Sequence, residues 1–196
     1  MLLAIKRQGG DIKRQADSMK EQSDLMVEKE RAKLRIEFDG FQSIKDSHGT
    51  YNVVGSVSIY GITEAYIERS QIYASVGVEG VFNPLPEWVW EIQMPKVIRP
   101  HSEPIRFASM VIAEDGPASD EEMMPVFRGD ESVYCTAIIE FADTFGQRWV
   151  LRLRRRFRFL WPQTIDPDAG GKWEDSGPPE DNGEHRVEAE QPSKPN

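Results

Sequence analysis

The residues of this sequence best suited to chemistry are arginines on one stretch of chain. From Arg148 to Trp161 the chain alternates, with Trp149, Leu151, Leu153, Phe157, Phe159 and Trp161 on one side and Arg152, Arg154, Arg156 and Arg158 on the other. Arg148 extends the charged row and Arg155 interrupts the apolar one. Side chains two apart on a strand share a face and stand about 7 Å from each other. Arg148, Arg152, Arg154, Arg156 and Arg158 therefore predict a ridge of guanidinium forks suited to phosphates, carboxylates or an acidic partner. The plainer reading is a solvated face whose arginines pair with Glu140, other cross-strand acids or the acidic carboxyl-terminal segment, each exposed pair contributing about 0–1 kcal/mol. That reading is preferred, and the net charge of −9 weighs against nucleic acid as the partner.

Other candidates are weaker. Trp88 and Trp90 share a strand face and could stack on a sugar, but alternating aromatics are more often core. His48, His101 and His185 fall in turns or the tail without partners at ligand spacing, which leaves no metal site and no triad. Cys135 lies on an apolar strand face and reads as an inert buried thiol. As the single cysteine it excludes an internal disulfide and a cysteine-based zinc site, and fits a reducing, cytoplasmic compartment. Asp166-Pro167-Asp168-Ala169-Gly170-Gly171 has some calcium-loop character, but its twelfth position is Gly177 rather than a bidentate glutamate. A hydrolase would have to draw on scattered acids such as Glu140 and Asp143. The expectation is a protein without catalytic residues, cofactor or metal.

The elements that would position these residues are mostly strands. Period-two alternation begins at Leu34, Ile36 and Phe38, and continues in Val53, Gly55, Val57 and Ile59 after the turn at Asp46–Thr50. Ala65 and Ile67, then Ile72, Ala74, Val76 and Val78, predict a third strand bulged near Arg69. Further strands are expected at Trp88–Ile92, Ile105–Ile112 and Val133–Phe141, the last turning at Asp143–Gly146 into the arginine strand. Residues 113–130 read as an exposed loop. About seven short strands with turn-rich connections predict an antiparallel, immunoglobulin-like β-sandwich over residues 33–161. Beyond it, residues 162–196 hold too little apolar content to order themselves and read as a disordered acidic tail that could mask the arginine face.

Residues 1–32 follow a different period. Ile5-Lys6-Arg7-Gln8, Ile12-Lys13-Arg14-Gln15 and Met19-Lys20-Glu21-Gln22 share one register that Met26 continues. A seven-residue apolar period keeps one stripe of a helix facing one partner, so Ile5, Ile12, Met19 and Met26 are candidate self-association positions on a helical, coiled-coil-like stalk; the plainer reading is a marginal amphipathic helix lying against the domain or fraying in solution. Gly9-Gly10 and the glutamines at the second core position, Gln8, Gln15 and Gln22, make the association weak, since glycine costs about 1 kcal/mol in a helix interior. The apolar run Met1–Ile5 is far short of the roughly 20 residues that cross a bilayer. Followed by Lys6, Arg7, Lys13 and Arg14, it matches what remains beside the cytoplasmic end of a membrane helix.

With these elements assigned, the chain resembles a loose group of uncharacterised bacterial proteins that have an amino-terminal transmembrane helix, a Lys- and Gln-rich juxtamembrane helix and a β-sandwich. Ile12–Met26 is similar to the group's stalk, Tyr60–Ile67 to its strand-end motif, and Ile139–Gly146 to its Tyr-x-Asp-x-Phe-Gly hairpin. Ile62 and Glu64 stand where the motif has Lys and Pro. The resemblance implies a membrane-associated protein at the cytoplasmic face, reached only through a longer amino terminus, and carries no activity. The sequence thus leads to a non-enzymatic interaction module with a protein partner, with anion or nucleic-acid binding through the arginine face as the alternative.

Overall fold

The computed structural model describes residues 2–44, 50–77, 93–113, 116–159, 171–179 and 182–187. Helix α1 (Leu2–Glu30) is followed by β1 (Leu34–Ile44), β2 (Thr50–Ile59), β3 (Ala65–Gly77), β4 (Val97–Ile98), β5 (Ile105–Ala113) and β6 (Gly116–Pro117). Then come α2 (Asp120–Arg128), β7 (Ser132–Asp143), β8 (Arg148–Phe159), β9 (Gly171–Asp175) and β10 (Gly183–Arg186). The ten strands form one sheet in the order β1-β2-β5-β3-β7-β8-β10, with β4, β6 and β9 flanking β3, β5 and β8.

The mainly β expectation holds, but the antiparallel sandwich is corrected to a mixed, nearly closed sheet. Strand β5 joins β3 in parallel, Ala74 beside Val111 and Ser75 beside Ile112, while the other pairs are antiparallel. The strands are also longer than turn spacing suggests, with 13 residues in β3 and 12 each in β7 and β8. Long strands accumulate twist, and twist brings the ends of a sheet together. A register shift between Ile67 and Arg69, near the bulge expected from the sequence, bends β3 further.

The inward rows are those that alternation predicts. Val53 and Val57, Phe107 and Val111, and Val133, Cys135, Ala137, Ile139 and Phe141 are buried in one cluster that runs from Ala32 to Phe157. Gly55 sits on the inward row of β2 because a Cβ there would lie 2.4 Å from the Glu37 carbonyl and 2.6 Å from the Phe107 ring. Trp88 and Trp90 lie outside the described residues, as do His48 and Asp166–Gly170.

Two stretches expected to lack structure do not. Residues 120–128 form α2, because Ser119 and Glu122 make a reciprocal capping box and Gly129, at φ 83°, closes the helix with a left-handed cap. Met123, Val126 and Phe127 are buried on the core side of α2, and the Tyr51 hydroxyl donates to Asp120. In the segment expected to be a disordered tail, β9 and β10 both pair with β8, with Phe157 beside Trp173 and Arg152 beside Gly183. A free strand edge supplies backbone partners that composition does not count.

The sheet's two ends meet along a seam. Strand β1 pairs with β2 on one side only, and across its other edge the Leu34 N–H donates to Glu184 of β10 at 2.7 Å. Farther along the seam Phe38 of β1 lies against Trp173 of β9, ring centroids 4.9 Å apart.

Candidate functional site

The stalk is a continuous 29-residue helix, and its stripe is bare. Ile12, Met19 and Met26 are 60–66 % exposed, and every residue from Ile12 to Met26 is exposed. Ile5 continues the register on the same helix. The helix is therefore not docked by its apolar face: Asp17, Glu21 and Glu28 instead overlook Gln147, Trp149 and Arg186 across an open cleft of about 580 Å³.

Attachment occurs at the helix end. Arg31, 7 % exposed, donates to Glu28 at 3.0 Å and to Glu184 at 2.6 Å, and its guanidinium carbon sits 3.8 Å from the centre of the Trp149 ring. Burial opposes the charge, but the hydrogen bonds to Glu28 and Glu184 outweigh it and raise the Arg31 pKa. The same Glu184 carboxylate accepts from Leu34 N–H, so one side chain of β10 holds helix end and first strand together. Trp149 in turn donates to Asp143, which also accepts from Phe145 and Gln147 N–H and so shapes the β7–β8 turn.

The arginine row does lie on one strand face, but its members differ. Arg148 donates to Glu68 at 2.9 Å, and that carboxylate raises its pKa. Arg156, the cross-strand neighbour of Glu174 on β9, donates to it at 3.0 Å, and the bond lowers the Glu174 pKa. Arg154 is half-buried with its guanidinium 5.4 Å from the centre of the Tyr134 ring. Arg152 and Arg158 are exposed. Strand β9 thus brings Glu174 to the far end of the row, the pairing expected of an acidic tail carried out by an ordered strand.

Cys135 is fully buried, and burial pushes its thiol pKa well above the usual range, which removes the thiolate a nucleophile needs. His101 is an exposed turn residue. Among the described residues no cluster of three His, Cys, Asp or Glu side chains is arranged for a metal, and no helix is long and apolar enough to cross a membrane. Alternation found the arginine row, whereas Arg31 and Glu184 carry no local signal because they are 153 residues apart. Neither a protein-family model, nor a curated protein, nor a solved structure matches this chain.

Proposed function

We propose that this protein is a non-enzymatic interaction module in which a curled β-sheet is displayed on a helical stalk, and that the stalk joins a second copy of itself through Ile5, Ile12, Met19 and Met26. The observation that carries this reading is the bare stripe: three large apolar side chains at seven-residue spacing, each at least 60 % exposed, on a helix the sheet does not cover. Glutamines at the second core position make the pairing weak and reversible, in keeping with an adaptor. One buried thiol suits a reducing, cytoplasmic setting.

Light scattering on the full chain and on a chain lacking residues 1–27 tests the reading. A concentration-dependent mass above one copy for the full chain, and one copy for the shortened chain, is the expected result. A single-copy mass for both at the highest soluble concentration would remove it.

A second reading, anion binding through the arginine face, draws support from the exposure of Arg152 and Arg158. It requires salt-sensitive retention on heparin that drops when both become Ala. Retention unchanged by the double substitution would eliminate it.

A further inference from the structure

One arginine of β8 belongs to neither reading. Arg155 falls on the inward row of β8, between Leu153 and Phe157, and its cross-strand neighbour on β7 is the fully buried Cys135. A guanidinium does not lose its proton in a protein, so a cation in an apolar row calls for an anion. Burial works against this one, lowering its pKa. The anion it meets is Asp175 on β9, whose side chain is 71 % exposed and so reaches Arg155 from the solvent side.

The surroundings of Arg155 give that position a use. Between β1 and the β8–β9 pair the seam opens into a groove of about 680 Å³. Ile36, Phe38, Leu153 and Trp173 supply its apolar part, Arg35, Glu37 and Asp39 a polar side, and Arg155 is the cation among its inward-facing lining residues. Arg35, which also lines it, is exposed and bound to Glu37 at 2.7 Å. The indole N–H of Trp173, a residue of the same wall, is buried and has no acceptor among the described residues. Along the groove, Leu34 to Phe38 covers about 13 Å at ~3.3 Å per residue. That length suits a medium-chain acyl group, and the volume lies in the range of small-ligand sites.

We infer that the seam is a binding site for an amphiphilic monocarboxylate of the medium-chain fatty-acid class, with its chain along Ile36, Phe38 and Leu153 and its carboxylate on Arg155 in place of Asp175. Charge selects the single carboxylate. A planar fork takes a carboxylate through two parallel hydrogen bonds. Asp175 is exposed and can swing into water, so a monocarboxylate adds a single negative charge, whereas a phosphate would bring more charge toward Glu37, Asp39 and Asp175. The groove lies apart from both the stalk stripe and the outward arginine row.

The test is titration of the full chain with decanoate below its micelle concentration, followed by calorimetry and by tryptophan emission. Saturable binding at one per chain is expected, with no binding of decylammonium. Arg155→Met, which keeps the apolar volume, should weaken decanoate at least tenfold. Asp175→Asn removes the competing carboxylate and should tighten it, an effect no loss of folding can produce. Absence of saturable binding overturns the inference, as does equal binding of decanol together with an unchanged affinity in Asp175→Asn.

Discussion

At the scale of single residues, the junction built on Glu184 is the most exposed to damage. Its carboxylate serves the buried Arg31 and the Leu34 N–H at once. Glu184→Ala leaves the buried Arg31 with the half-exposed Glu28 as its remaining carboxylate and the Leu34 N–H without its acceptor, and should cost about 2–4 kcal/mol in urea unfolding. Glu184→Gln keeps an oxygen for Leu34 and should cost less. Tyr51 gives a pH signature at the opposite end of the sheet. Burial, with Asp120 beside it, pushes its hydroxyl up to about 12 from an ordinary value of 10. A raised pKa means the contribution is complete below pH 10 and is lost as pH rises toward 12. Stability measured across that window should fall more steeply in the native chain than in Tyr51→Phe, which gives up about 1 kcal/mol at neutral pH instead.

Among the elements, α2 shows what a sequence holds and how it is overlooked. Ser119 and Glu122 have the spacing of a capping box, but the acids and glycine around them have the composition of a loop. Ser119→Ala should cost about 1 kcal/mol in thermal or urea unfolding. Other elements were open to inspection: the inward rows of β2, β5 and β7, the bulge in β3 and the turn at Asp143 all follow from local alternation and turn chemistry. Strands β9 and β10 were not, because Gly171–Asp175 and Gly183–Arg186 order on the backbone edge of β8 and through contacts of Trp173 and Glu184 with residues far away in the sequence, none of which leaves a local alternation. The parallel β3–β5 pairing is likewise invisible to any local pattern. Of the candidate positions, Ile12, Met19 and Met26 and the outward arginines could be read from spacing; which arginines meet carboxylates depended on strand register.

For the molecule as a whole, the division between stalk and sheet does not fall where the helix ends. Arg31 and Ala32 are buried with the core, whereas residues 12–26 are not. Removing residues 1–27 should leave the thermal midpoint of the sheet unchanged. Removal through Ala32 should lower stability by about 3 kcal/mol or more, since it leaves Glu184 without Arg31 and opens space beside Trp149. The bond from Leu34 to Glu184 has one more consequence, which concerns synthesis. These residues are 150 positions apart, and a ribosome delivers the first long before the second. Pairs such as β1–β2 and β7–β8 can zip as they emerge, but the seam must wait for β10, a long-range closure of the kind that slows folding. The stalk leaves the ribosome before any strand of the sheet, so under the proposed self-association neighbouring nascent chains on one message would meet through their helices while each sheet is still open, and partner choice would precede completion of the fold.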